Sequence, residues 1–288
     1  MSHTAEPVSS KPSSIAQRSV LITGCSSGIG LASAREMKRR GWRVFATARK
    51  PEDIARLKEE RCDSVYLDYA EPDSIAVAAD QVLEATGRRL DALFNNGGYA
   101  QPGAVEDVAR DVLRAQFEAN VFGWHDLTRR IIPAMRARGQ GRIVFCSSVL
   151  GIVAAPYRGA YCASKYAVEA LADALRMELA GTGITISLIE PGPIATRLVE
   201  HAIEAYRRHI DMERSPHRET YRARLARMEQ GGNQSFKLPP EAVAAKLVHA
   251  LESKRPKARY YVTFPTYAAV LLRRLLPTRL LDAVAASN

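Results

Sequence analysis

Near its start the chain reads Ser19-Val20-Leu21-Ile22-Thr23, then Gly24-Cys25-Ser26-Ser27-Gly28-Ile29-Gly30, then a helical pattern from Leu31 to Arg40. No other stretch limits the fold so tightly. The short apolar run reads as a buried strand, and the glycine loop lets a helix begin directly after it. Glycines allow a backbone to approach a phosphate closely, while a helix N-terminus offers free N–H groups and a positive dipole end. Strand, glycine loop and helix in this order suit a dinucleotide pyrophosphate. The plainer alternative is an ordinary strand-to-helix turn. Gly24, Ser26, Ser27, Gly28, Ile29 and Gly30 are the candidate contacts.

The same alternation continues down the chain. Strand-like runs follow at Arg43–Arg49, Val65–Asp68, Leu90–Phe94, Arg142–Cys146, Gly183–Ile189 and Arg259–Phe264. Helical patterns lie between them at residues 73–86, 107–138, 163–179 and 240–253. Alternating strands and helices predict an α/β fold: one Rossmann-type, doubly wound parallel sheet of about seven strands with helices on both faces. No internal repeat or second domain is evident. The site should lie outside the carboxyl ends of the strands.

A second constellation sits mid-chain. Tyr161 and Lys165 are four residues apart in Gly159-Ala160-Tyr161-Cys162-Ala163-Ser164-Lys165, and Ser148 follows the strand Arg142–Cys146. On a helix, positions i and i+4 share a face. A lysine ammonium there favours the phenolate and should lower the tyrosine pKa from about 10 toward neutrality. The tyrosine then exchanges a proton, while Ser148 presents a hydroxyl to the same carbonyl oxygen. A lone Tyr-x-x-x-Lys is more often a surface pair. Here it occurs with the glycine loop, about 120 residues away and in a consistent order.

Together, Thr23-Gly24-x-x-x-Gly28-x-Gly30 and the Ser148, Tyr161 and Lys165 set resemble the short-chain dehydrogenase/reductase family, over roughly residues 18–276. The wording Gly159–Ala167 and Leu188–Ile194 is most similar to bacterial NADP-dependent aldehyde and ketone reductases of the hydroxysteroid and retinol dehydrogenase-like branch. The resemblance implies an NAD(P)-dependent oxidoreductase that moves hydride between a nicotinamide and a small carbonyl or alcohol substrate. It implies that Asn120 interrupts its helix and joins the catalytic set by holding a water beside the lysine; the alternative is a polar residue in a helix seam. It implies that Asp68 meets the adenine, that Asn95 and Gly97 flank the adenosine ribose, and that Pro191, Gly192, Ile194 and Thr196 hold the nicotinamide end. Family members usually read Asn-Asn-Ala-Gly where this chain has Asn95-Asn96-Gly97-Gly98. Tyr161 and Lys165 also reach the cofactor, the lysine at the nicotinamide ribose.

Cofactor choice turns on the end of the second strand. NAD-dependent relatives close it with a carboxylate, whereas this chain has Ala48-Arg49. A guanidinium forks onto a 2′-phosphate that a carboxylate would repel. NADP(H) is therefore expected over NAD(H), with Arg49 on the phosphate, unless Arg49 is simply a capping or surface arginine. Two other readings are an NAD(H)-linked steroid or retinoid alcohol dehydrogenase and a dinucleotide sensor without catalysis. The family also implies a substrate lid over residues 197–237, although a solvated helical hairpin describes most of that stretch equally well. A helical extension is expected over 265–288, and a homodimer or homotetramer.

Composition narrows the classes further. The chain of 288 residues carries 41 Lys and Arg against 31 Asp and Glu, a net charge of +10. Scattered arginines on solvated helix faces account for this, and no aromatic-and-basic nucleic-acid motif appears. Cys25, Cys62, Cys146 and Cys162 show no paired spacing and read as reduced thiols of a cytoplasmic protein. The histidines do not cluster at metal-ligand spacing, so no metal is expected. Residues 1–17 are polar and rich in Ser and Pro, without a signal-peptide core, and read as a disordered tail. No apolar run is long enough to span a bilayer. The apolar stretch Tyr267–Leu276, with Arg273 and Arg274, suits weak contact with a membrane surface, or packing over the cleft or a subunit interface.

Overall fold

The computed structural model describes residues 17–231 and 235–286. The expected tail over 1–17 lies almost wholly outside them, as do three residues of the expected lid and the last two of the extension. Seven strands form one parallel sheet: β1 (Ser19–Ile22), β2 (Arg43–Ala48), β3 (Asp63–Tyr66), β4 (Ala92–Asn95), β5 (Gly141–Cys146), β6 (Ile184–Glu190) and β7 (Arg259–Tyr261). Their order is β3-β2-β1-β4-β5-β6-β7. The helices are α1 (Gly28–Arg39), α2 (Pro51–Glu59), α3 (Pro72–Ala85), α4 (Arg110–Phe117), α5 (Gly123–Arg138), α6 (Gly159–Glu178), α7 (Leu198–His209), α8 (Arg218–Glu229), α9 (Glu241–Glu252), α10 (Phe264–Leu275) and α11 (Thr278–Ala286). With α1 lying against α9 and α3 against α5, both sheet faces are covered. Leu21, Ile22, Phe94, Ile143 and Leu188 are accordingly fully buried, as strands covered on both sides require.

Strand order reverses between β1 and β4, which pair with Ile22 beside Phe94. Such a switch point opens a crevice at the carboxyl ends of the strands. Two expected boundaries shift. The seventh strand ends at Tyr261 rather than Phe264, because Pro265 lacks an N–H and suits the first turn of α10 instead. The helical pattern 107–138 starts later, since Val105–Asp107 forms a separate 3-10 turn, and it is interrupted around Asn120, as the resemblance implies, by a π turn at Glu118–Phe122 between α4 and α5. Within that turn the Gly123 N–H reaches back five residues to the Glu118 carbonyl.

Helices α7 and α8 form a hairpin after β6 with a small core of its own, made of Ala104, Tyr206, Ile210 and Tyr221. Polar ties hold it to the turn before α4. Asp107 accepts from the Tyr221 hydroxyl and from Ser215 Oγ (2.6 Å), and His217 Nε2 stands 2.6 Å from Glu106 Oε1. Among the described residues no helix is long and apolar enough to cross a membrane.

Candidate active site

The crevice at the switch point is a cleft of about 580 Å³. Its floor is the glycine loop. Gly24 has φ +70°, and a Cβ there would lie 2.5 Å from the Gly97 Cα, so the loops after β1 and β4 touch only because both are glycine. A Cβ on Gly30 would lie 2.2 Å from the Gly24 carbonyl oxygen. Gly30 therefore sets how tightly α1 seats against the loop and does not itself line the cleft. No side chain caps α1 and no carboxylate stands in its first turn. Its leading N–H groups are left for an anion. That vacancy of donors, with the glycine cradle beside it, fits a dinucleotide pyrophosphate.

Ser26, Ser27, Gly28 and Ile29 line the same wall, followed by Arg49, Asp68, Gly97, Pro191, Gly192, Ile194 and Thr196. Arg49 stands just past β2, 70% exposed, in a loose pair with Asp68 (3.4 Å). Asp68 also accepts from the Ala70 N–H at 3.0 Å.

One expected contact is elsewhere. Asn95 is fully buried and absent from the cleft wall. Its amide donates to Thr128 Oγ1 (2.9 Å), and its Oδ1 lies 2.9 Å from the Tyr69 hydroxyl. Alternation along β4 sends Asn95 into the core, and Asn96 takes the cleft position. Tyr69 also explains Gly97, since a Cβ there would press within 3.2 Å of the Tyr69 ring.

The second constellation converges on the opposite end of the cleft. Ser148 follows β5; its Oγ accepts from the Leu150 N–H at 3.1 Å, which leaves its own proton to donate. Tyr161 and Lys165 project from successive turns of α6, both buried. Lys165 Nζ donates to the Cys146 carbonyl (2.8 Å) and lies 4.3 Å from the centre of the Trp124 ring, against 5.6 Å from that of Tyr161. Asn120, in the π turn, donates to the Tyr99 carbonyl (3.0 Å) and to Ser164 Oγ (3.2 Å), and accepts from the Tyr99 N–H (3.2 Å).

The expected lowering of the Tyr161 pKa is not what this arrangement does. Burial, and after it Cys146, push the phenol well above its ordinary value, and the Ser148 hydroxyl and the Arg158 guanidinium pull it partly back. Desolvation brings Lys165 down to about 8, partly offset by Cys146 and Glu169. Sharing a helix face is not enough when the phenol is desolvated and the ammonium is tied to a strand carbonyl.

Several residues that shape the site carry no local sequence signal. Trp124 donates to the Gly97 carbonyl (2.7 Å) while its ring faces Lys165, so it ties the two ends of the cleft together. Arg56 donates to the Ser26 carbonyl (2.5 Å) and steadies the glycine loop from α2. Beside Ser147 lies a charged knot. Arg259 reaches Asp173 (2.7 Å), Glu169 (3.0 Å) and Glu190 (3.1 Å). Burial raises both glutamates from their ordinary value, and Glu190 is pushed up to about 9 by burial and then the charge of Glu169.

A doubly wound sheet with an anion cradle at its switch point, and a serine, a tyrosine and a lysine converging at the far end of one cleft, defines a dinucleotide-dependent oxidoreductase. The short chain dehydrogenase family model matches residues 18–207, and the chain belongs to the short-chain dehydrogenase/reductase family. It is 46% identical over 270 residues to the uncharacterized oxidoreductase YbbO of Escherichia coli K12, covering 94% of each chain. It is 34% identical to the NADPH-dependent 3-dehydrocapnine reductase of Ornithobacterium rhinotracheale, over 93% of this chain and 95% of that one. A short-chain dehydrogenase structure from Streptomyces avermitilis superposes with a TM-score of 0.76 at 31% identity, covering 94% of each. The protein is thus an NAD(P)-dependent dehydrogenase or reductase acting on small molecules.

Proposed function

We propose that the protein is an NADP(H)-dependent reductase of aldehydes or ketones, with Tyr161 as the general acid. The observation that carries this reading is the buried Tyr161 phenol in the same cleft as the Ser148 hydroxyl. A carbonyl reduction needs a proton donor at that point. When bound, the dinucleotide supplies the hydride. Tyr161 gives its proton to the carbonyl oxygen. Ser148, whose oxygen already accepts from Leu150, donates its hydrogen to the same oxygen as charge develops there. Lys165 spends one N–H on the Cys146 carbonyl; its other two are assigned to the nicotinamide ribose and to a relay through Asn120.

Arg49 supports the preference for NADP(H): it is exposed at the cleft edge and only loosely held by Asp68. Asp68 is assigned to the adenine, Gly97 to the adenosine ribose, and Ile194 and Thr196 to the carboxamide. Helices α7 and α8 act as the lid, and α7 supplies His201, Ala205 and His209 to the cleft wall. A cytoplasmic homo-oligomer is part of the same reading. The exposed apolar face of α10, with Tyr267, Leu271 and Leu275, supports its use as a contact surface with a membrane or a second subunit.

The test follows absorbance of NADPH and NADH in parallel against a panel of aldehydes and ketones. NADPH should be consumed much faster than NADH. Tyr161→Phe should lower kcat by about 10²–10⁴-fold while NADPH still binds. Retained turnover in that variant would overturn the acid assignment.

A further inference from the structure

Helix α7 closes one side of the cleft, and the face it turns inward is polar. His201, Glu204, Arg208 and His209 line the cleft wall, spaced as one face of a helix, with the small Ala205 among them. A steroid or retinoid skeleton laid against this wall would strip those groups of water and give no hydrogen bond in return. A substrate that hydrogen-bonds meets no such cost. Of the four, His209 is the one whose hydrogen bonding the structure fixes.

One nitrogen of its ring is committed. His209 Nδ1 lies 2.7 Å from Gln101 Oε1. Gln101 Nε2 donates to the Pro102 carbonyl at 2.8 Å, so the amide stands only one way round and its oxygen faces the ring as an acceptor. The proton of the neutral imidazole therefore sits on Nδ1, and Nε2 carries a lone pair. Gln101 is fully buried and takes no part in the cleft wall. The edge of the ring turned away from it, with Nε2, is the edge left to line the cleft, and among the described residues no group donates to that nitrogen.

A chain of hydrogen bonds ties this point to the catalytic end. The Gln101 N–H donates to Gln116 Oε1 (2.7 Å), and Gln116 Nε2 donates to the Tyr99 carbonyl (2.9 Å). Asn120 donates to the same carbonyl and to Ser164, the neighbour of Lys165. Packing pins the end of α7 at the same place: a Cβ on Gly103 would stand 2.8 Å from Ile210 Cδ1. His209 is thus held against the loop that follows β4, in the cleft that contains Ser148 and Tyr161.

We propose that His209 is a specificity-determining residue whose Nε2 accepts a hydrogen bond from a hydroxyl group of the substrate, away from the reacting carbonyl. The substrates are then hydroxyl-bearing aldehydes or ketones rather than purely apolar ones. This rests on the carbonyl-reductase reading. Gln101 acts through His209 as a positioning residue, since it sets which ring nitrogen is left to accept.

The test sets meta- and para-hydroxymethylbenzaldehyde against the corresponding methylbenzaldehydes, pairs of nearly the same shape that differ by the donor. Wild type should favour at least one hydroxymethyl compound in kcat/KM by about three- to tenfold, the worth of one neutral hydrogen bond. His209→Asn places an amide nitrogen where Nδ1 was, so it keeps a donor for Gln101 and has nothing at the place of Nε2. Its ratio should fall to about one. His209→Gln returns an amide at the Nε2 position and should recover part of the preference. NADPH fluorescence confirms that each variant is folded and holds cofactor. No preference in either pair for wild type, or an unchanged ratio in His209→Asn, overturns the proposal. The alcohols that correspond to these aldehydes cannot be reduced, and they separate the subsite from the chemistry. By calorimetry the benzenedimethanols should bind the NADPH complex more tightly than the methylbenzyl alcohols, and His209→Asn should abolish the difference. If no aldehyde is turned over, the reductase reading fails while the alcohols still judge the subsite. Equal binding of the two kinds of alcohol to wild type overturns it.

Discussion

At the residue scale the cleft is governed by which side chains still have something to give. Arg49 is the clearest case, because among the described residues its one ion-pair partner is Asp68 at 3.4 Å, and most of it faces solvent. Arg49→Ala should weaken NADPH binding by about 10–100-fold, the worth of a charge-assisted pair, and leave NADH binding nearly unchanged. Fluorescence titration with both cofactors checks this, and equal losses would remove the 2′-phosphate assignment. That Gly24, Gly28, Ser148, Tyr161, Lys165 and Arg49 line one cleft was legible in the sequence, because each lies within a short motif. Asn95 was misplaced by one position, and in a strand one position exchanges core for cleft. Trp124 and Arg56 were not legible, since only the folded sheet brings them to Gly97 and Ser26.

At the element scale the π turn between α4 and α5 matters most. Periodicity runs smoothly across residues 107–138, so the pattern alone gives no reason for a break. The reason is tertiary: Asn120 turns inward to accept from the Tyr99 N–H and to share the Tyr99 carbonyl with Gln116, fixing the loop that follows β4. Asn120→Ala leaves the Tyr99 N–H without that acceptor and its C=O with Gln116 as the remaining donor. It should cost about 2 kcal/mol or more of stability, read by urea unfolding. Asn120→Asp keeps the acceptor for the Tyr99 N–H and loses the donor, so it should fall between.

For the molecule as a whole, the knot around Arg259 ties three elements: α6 through Glu169 and Asp173, β6 through Glu190, and β7 through Arg259 itself. Three carboxylates on one guanidinium hold their excess charge down by retaining a proton. The folded chain thus binds a proton on Glu190 at pH values where the unfolded chain, titrating near about 4.3, has lost it. Stability from this group is present at low pH and is lost as pH rises above that range. Glu190→Gln keeps the shape without the titration. Its melting temperature should fall less steeply than that of wild type between about pH 5 and pH 9. Parallel slopes would show that the knot is fully ionised. The parallel, doubly wound sheet and the site's place at its carboxyl edge followed from strand–helix alternation; the strand order did not. The knot did not, because its members lie far apart in sequence and meet only through the pairing of β6 with β7.

The order β3-β2-β1-β4 has a kinetic meaning. Strand β1 is made early in synthesis, yet half its edge waits for β4, and the contact of Gly24 with Gly97 waits with it. Every pairing in the sheet spans an intervening helix, which makes the chain slow to find its topology. The cofactor crevice is therefore a late product of folding. A dinucleotide has nothing to grip on the nascent N-terminal half; it recognises only a chain whose central strands have already met, and it acts afterwards as a lock against their separation.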